Sequence, residues 1–421
     1  MVPKGWSIVH VSDLFEVQLG KMLNKEAKAK GPQFKYLGNS NVKWGSFELS
    51  NLNTMFFNER EINKFSLRVD DIVMCEGGEV GRCAIWQGQE EHIYYQKALH
   101  RLRSKGKVSP YFFQAYIESI AGTKLLDDYT TRTSIAHLTR EKLLALPVVL
   151  PPLPEQKKIA QILSTWDKAI AVTEKLLANS QQQKKSLMQQ LLTGKKRLFS
   201  ENGERFHANW SYLSIASVFS IITDYVASGS FASLRENVSV SDDEDFAHYV
   251  RQTDLSARFK NDNLKWVDKK SYEFLKKSNL YEGDILFVNI GDLGRVYYMP
   301  KLSKPATVAP NLVVLRVNHQ NDSKFIYYLL DSDVGQKEID KIKSGTGLPK
   351  ISKTEFKTMG FSIPSLAEQQ KIAAVLSAAD AEISTLEKKI ACLKDEKKAL
   401  MQQLLTGKRR VKVEAEEAVS A

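Results

Sequence analysis

EQKKIAQILSTWDKAIAVTEKLLANSQQQKKSLMQQLLTGKKR, residues 155–197, and EQQKIAAVLSAADAEISTLEKKIACLKDEKKALMQQLLTGKRR, residues 368–410, align without a gap and share 24 of 43 positions. Identity that dense over so long a run marks a tandem duplication, here at an offset of 213 residues. Two copies of a long unit make a pseudo-dimer within one chain, not a solenoid, which needs shorter and more numerous repeats. The offset continues upstream into segments that otherwise look unrelated. Asp71-Ile72 matches Asp284-Ile285, Gly78-x-x-Gly81-Arg82 matches Gly291-x-x-Gly294-Arg295, and Gly122, Thr133 and Pro151 match Gly335, Thr346 and Pro364. Trp6 pairs with Trp210 at a shifted offset of 204. The plan is a variable block followed by a near-identical block, written twice.

Each near-identical block follows a proline cluster, LPVVLPPLPEQ or MGFSIPSLAEQ, and proline suits a first helical turn. Neither block has another Pro or Gly until Gly194 and Gly407, where a glycine followed by basic residues makes a C-terminal stop. In the second copy Ile372, Leu376, Ala379, Ile383, Leu386, Ile390 and Leu393 step by four and three, a heptad seam. The first copy runs Ile159, Leu163, Trp166, Ile170, Thr173 and Leu177, then turns polar from Asn179 to Ser186, so the seam weakens there. About 39 helical residues give a rod of ~58 Å. A lone amphipathic helix cannot bury its stripe, and chain order makes the second helix run back along the first. The expected fold is therefore α+β: two globular α/β domains separated by an antiparallel two-helix coiled coil, with a pseudo-two-fold internal repeat. The boundaries expected are 1–154, a helix in 155–197, 198–367, a helix in 368–410, and an acidic tail, 411–421. Two unrelated amphipathic helices, each packed on its own domain, are the plainer alternative.

The chain has 421 residues, 60 basic against 49 acidic, 43% hydrophobic and only three cysteines. That suits several ordinary globular domains, not disorder. An odd cysteine count without C-x-x-C argues against a disulfide framework and suits a reducing cytosol. Cys75 and Cys83 flank a turn and read as buried thiols. MVPKGWSIVHVSDLFEV has no basic stretch leading into an apolar run, and no run of 18 apolar residues occurs, so the expectation is a cytoplasmic chain without a signal peptide or membrane span. The net charge of +11 points toward a polyanion, yet it is unevenly placed. Residues 1–154 carry +4, 198–367 are neutral, the two repeats carry +6 and +3, and the tail carries −2. A lysine-rich helix is usually a solvated face, so local clusters are more informative. Lys35-Tyr36, Lys260 beside Arg258-Phe259, and Lys265-Trp266 combine base and aromatic, and Arg101 with Arg103 is a further basic cluster.

Catalytic apparatus is missing from the sequence. No Gly-Lys pair completes a P-loop, seven histidines show no H-x-x-x-H, and nothing completes a Cys/His metal pattern. The only Pro-Pro, Leu150-Pro151-Pro152-Leu153, lacks both flanks of an amino-methyltransferase tetrapeptide. The two G-x-x-G-R segments, between DIVMC and RCAIW and between DILFV and RVYYM, read as hairpin turns with positive-φ glycines. Such a turn, Gly78, Gly81 and Arg82 or Gly291, Gly294 and Arg295, also suits approach to a phosphate with Arg as anchor. Arg132-Thr133-Ser134 and Thr346 to Lys350 are small, hydroxyl-rich and basic, which fits either phosphate contact or a structural turn.

Two divergent blocks, each followed by P-x-L-x-E-Q-x-x-I-A-x-x-L and ending in L-x-x-x-L-L-T-G-K, resemble the specificity (S) subunit of type I restriction–modification systems. The resemblance covers essentially the whole chain. It implies two target recognition domains reading the halves of a split, asymmetric double-stranded DNA sequence, and spacer helices docking two methyltransferase subunits. It also implies no catalysis, metal or cofactor on this chain, S-adenosylmethionine on the methyltransferase partners, and ATP with Mg on motor-nuclease restriction subunits. A coiled-coil scaffold without sequence-specific DNA contact is the alternative from a different class.

Overall fold

The computed structural model describes residues 2–24, 31–132, 136–343 and 350–413. The chain divides into two compact units, Met1–Lys175 with Lys388–Ala421, and Leu176–Glu387. Each unit holds one α/β domain and a segment of both long helices, Leu153–Leu191 and Leu366–Leu404. The helices thus run through both units and link the two domains.

In the first unit Ser7–His10 pairs antiparallel with Pro147–Leu150, tying the start of the domain to its end. A four-stranded antiparallel sheet follows the order Phe15–Leu19, Leu99–Ser104, Ile72–Cys75, Cys83–Ile85. The second unit repeats this with Ser211–Ser214 on Gly360–Ile363, and with the order Phe219–Asp224, Leu312–Val317, Ile285–Val288, Val296–Tyr298. Even the register is kept. Ile72 faces Leu102 as Ile285 faces Leu315, each pair displaced by the sequence offset.

The central strands are apolar on both faces because each is covered twice. Ile72 and Met74 belong to one core, Val73 and Cys75 to another. Ile285 and Phe287, then Leu286 and Val288, divide in the same way. The second layer is where the domains part. The first has a three-stranded sheet, Asn53–Phe56, Gln33–Leu37 and Tyr94–Tyr95; the second has a five-stranded one built around Ala247–Val250 and Ala306–Val308.

The repeated Glu-Gln joins helix to domain. Buried Gln156 accepts from Ser109 N at 2.8 Å and donates to Pro151 O at 2.8 Å; Gln369 accepts from Asp322 N at 2.9 Å and donates to Pro364 O at 3.0 Å. Glu368 accepts from Arg197 at 2.6 and 2.7 Å and from the Trp210 indole at 3.3 Å. Glu155 does the same for Arg410 and, at 3.3 Å, for Trp6. The shifted Trp6/Trp210 match is therefore a structural equivalence. Both helices end at glycines in the left-handed region, Gly194 (φ +70°) and Gly407 (φ +68°), where a side chain would be strained.

Within each unit the helix segments run antiparallel. Asp167 meets Lys397 and Glu174 meets Lys394 in the first; Ser180 meets Glu382 and Lys184 meets Asp380 in the second. The polar stretch of the first helix does not interrupt the seam. It continues through buried Thr173 and Ser180 and half-buried Lys184, and Thr173 Oγ1 satisfies itself on Ala169 O at 2.7 Å. Ile159, Leu163, Ile372, Leu376 and Ile390 are buried, while Trp166, Ile170, Leu177, Ile383, Leu386 and Leu393 are half-buried.

Candidate nucleic-acid interface

Both G-x-x-G-R segments are the turns of hairpins, Ile72–Cys75 with Cys83–Ile85 and Ile285–Val288 with Val296–Tyr298. Gly78, Gly81, Gly291 and Gly294 take φ of +79°, +84°, +96° and +88°. The turns share their hydrogen bonds. Cys75 N reaches Arg82 O at 2.8 Å and Val288 N reaches Arg295 O at 2.9 Å. Each Arg also pairs with the acid three residues earlier, Arg82 with Glu79 at 3.0 Å and Arg295 with Asp292 at 2.8 Å.

The two arginines differ in what else they touch. Arg82 is held down: Nη2 donates to Asn39 O at 3.1 Å and Asn39 Oδ1 at 3.0 Å, and lies 3.6 Å from Cys75 Sγ. Burial pushes the Cys75 thiol up, and the nearby guanidinium offsets only part of it. Arg295 stands out, its side chain 56% exposed and stacked on Tyr297.

A second segment closes on each turn. Gly77 bridges His137, and Leu138 N donates to Glu76 O at 2.7 Å; Ile290 bridges Lys350, and Ile351 N donates to Asn289 O at 3.2 Å. These contacts are again displaced by the duplication offset. The described residues that follow the second kind of loop, His137-Leu138 and Lys350-Ile351, are thereby brought to the glycine turn in both domains. Arg132 lies in the short strand Thr131–Arg132; Thr133, Ser134 and Thr346 lie outside the described residues.

The other basic positions are scattered. Lys35 pairs with Glu90, and Tyr36 is buried in the aromatic core beneath the three-stranded sheet. Arg101 is 3% exposed and bonds to Glu16 at 2.8 Å and to Lys64 O and Ser66 O. Arg103 clamps buried Asp71 at 2.8 and 2.6 Å, as Arg316 clamps Asp284 at 2.8 Å twice. Lys265 pairs with Asp242. Lys260 is exposed on a turn where Arg258 (φ +52°) and Phe259 (φ +56°) are both left-handed, a strained pair for side chains of that size. Buried Asp254 anchors that turn through Arg251 at 2.7 Å and Asn261 at 2.8 Å; these bonds outweigh burial and hold its carboxyl below the usual range. Sequence reading marked the basic residues there but carried no sign of the strain, and it missed Asn39 entirely.

Among the described residues no cluster of three or more His, Cys, Asp or Glu could hold a metal ion, and no helix is long and apolar enough to cross a membrane. Cys75 and Cys83 are buried free thiols.

Two domains of one plan, joined by doubled helices and differing in their outer layers, define a class of two-domain recognition proteins. The model of the type I restriction modification DNA specificity domain matches residues 3–180 and 209–394, and the chain belongs to that family as a specificity subunit of the HsdS type. Its role there is that of the non-catalytic S subunit. The type I restriction enzyme MjaVIII specificity subunit of Methanocaldococcus jannaschii is 25% identical over 438 residues, covering 98% of this chain and 94% of that one. In fold, the chain is similar to the type I restriction–modification S subunit from M. genitalium, with a TM-score of 0.58 at 16% identity, covering 96% of each chain. It is equally similar to a chain from a structural study of type I R-M complex assembly and conformational transition, with a TM-score of 0.58 at 16% identity, covering 97% of this chain and all of that one.

Proposed function

We propose that the chain reads a split, asymmetric duplex DNA target through two recognition domains, residues 1–154 and 198–367, and docks methyltransferase subunits along its paired helices. The observation that carries this reading is that one scaffold occurs twice with unlike outer layers, a three-stranded sheet in one copy and a five-stranded one in the other. Equal surfaces suit equal partners; unlike surfaces suit unlike half-sites. Gln189, Gln190 and Thr193 recur as Gln402, Gln403 and Thr406, all exposed on the helix ends, which favours two copies of one methyltransferase partner. In this reading S-adenosylmethionine sits on those partners, and ATP and Mg on motor-nuclease subunits that join them in the cytoplasm.

The contact surface we assign in each domain is the glycine hairpin turn with the segment bridged to it, Arg295 being the outward cation in the second. Each domain reads only a few base pairs by groove contacts, so specificity requires both. Exchanging residues 1–154 for those of another such subunit should change one half-site in a genome-wide map of methylated adenines and leave the other as it was. An unaltered map refutes the reading. A footprint without a protected split sequence would favour the plain scaffold instead.

A further inference from the structure

The seam of the helix pair contains two residues that a hydrophobic seam does not call for. Lys184 and Lys397 occupy the same heptad position in the two helices, with leucines three residues further on at 187 and 400. Each is inward-facing, and each is met by an aspartate from the opposite helix: Lys184 by Asp380 at 2.6 Å, Lys397 by Asp167 at 2.8 Å. Both side chains are largely withdrawn from solvent, at 18% and 11% exposure. Glu118, from the domain, adds two bonds to Lys397 at 2.9 and 3.0 Å, and Tyr328 orients Asp380 from the other domain at 2.7 Å. Burial alone would lower the Lys397 ammonium, but Asp167 and Glu118 overcome it and raise its pKa.

We propose that Lys184 and Lys397 are positioning residues that fix the register of the two long helices. The reason is combinatorial. A seven-residue slide preserves any heptad seam, so the apolar residues alone do not distinguish neighbouring registers. Sliding one way sets the two lysines opposite Ala373 and Ala160. Sliding the other way offers them Glu387 and Glu174 but carries Asp380 and Asp167 to Leu191 and Leu404. Only the observed register pairs all four charges. An unpaired charge withdrawn from water is costly, whereas a leucine there is not, so the ion pairs supply discrimination rather than net stability. The duplication states the couple twice, and one register satisfies both.

The test uses the full chain with nitroxides on Cys392, its one exposed native cysteine, and on Gln161→Cys, exposed on the first helix of the same unit; Cys75 and Cys83 are buried. Dipolar spectroscopy should return a single distance in this background. The double variant Lys184→Leu/Lys397→Leu should add a second population displaced by about 10 Å along the axis, one heptad of rise, while Lys184→Arg/Lys397→Arg keeps one. An unchanged single distance in the leucine variant would overturn the proposal and leave domain packing as the holder of register. If the leucine variant does not fold, Asp167→Asn/Asp380→Asn is read the same way. A further consequence rests on the proposed function: the leucine variant, assembled with its methyltransferase, should methylate targets with a second gap length. A loosened register with an unchanged gap would leave the register assignment standing and defeat the spacing one.

Discussion

Arg82 and Arg295 look equivalent in sequence and in turn geometry, yet their surroundings separate them. Arg295→Ala should weaken DNA binding by about 1–3 kcal/mol and reduce the salt slope by about one, with little change in stability, as expected of an exposed phosphate contact. Arg82→Ala should also destabilise its domain by about 1–2 kcal/mol, because Asn39 Oδ1 loses its donor and Asn39 O keeps the Val42 amide but not the guanidinium. Binding titrations at several salt concentrations beside urea melts distinguish the two. His100 offers a test in pH. It is fully buried, Nε2–H donates to Leu138 O at 2.9 Å, and burial holds its pKa below the ordinary 6.5. The unfolded chain then takes up the proton first, so stability falls as pH drops below about 6.5, by up to ~1.4 kcal/mol per unit. His100→Gln should remove that part of the slope in melts between pH 5 and 7.

At the scale of elements, the joints between helix and domain carry measurable stability. Glu368 is 1% exposed and answers Arg197 twice and Trp210 once. Glu368→Ala should cost about 3 kcal/mol, since it strands a guanidinium. Glu155→Ala should cost less, because its partner Arg410 is 41% exposed. Urea unfolding of both variants gives the comparison. These elements were the legible part of the sequence. The helices were readable because a seam, a proline start and a glycine stop coincided in two copies, and the hairpins because glycine spacing sat between apolar runs. The polar stretch from Asn179 to Ser186 reads as a weakening because Ser180 and Lys184 keep the heptad spacing but are polar residue types; their partners, Glu382 and Asp380, far away in sequence, are what seat them in the seam. The proposed contact surface is half legible in the sequence. The turns were found, but Arg101 and Arg103 carry the same residue type as a contact and are held inside by Glu16 and Asp71, partners too remote for spacing to reveal.

For the whole molecule, the decisive point is that the first unit is not contiguous: its two parts, Met1–Lys175 and Lys388–Ala421, are separated in sequence by the whole of the second. The core of the first takes Ile159 and Leu163 from one helix and Met401, Leu404 and Leu405 from the other. A fragment ending at Arg197 therefore lacks part of its own core, although its Met188, Leu191 and Leu192 match the missing residues. Such a fragment should not remain monomeric; sedimentation should show self-association, one copy lending the other its helix end. A well-behaved monomer would contradict the shared core.

The joint at Gln156 and Gln369 carries an evolutionary implication. Apart from Asn321, what these glutamines grip in the domains is main chain: an amide at Ser109 or Asp322, and carbonyls at Lys107, Pro151 and Pro364. Every polypeptide offers those groups, whatever side chains it bears. A lobe of foreign ancestry could be spliced onto this chassis by recombination without refitting the coupling, so the reading surface is free to drift while its mounting stays standard.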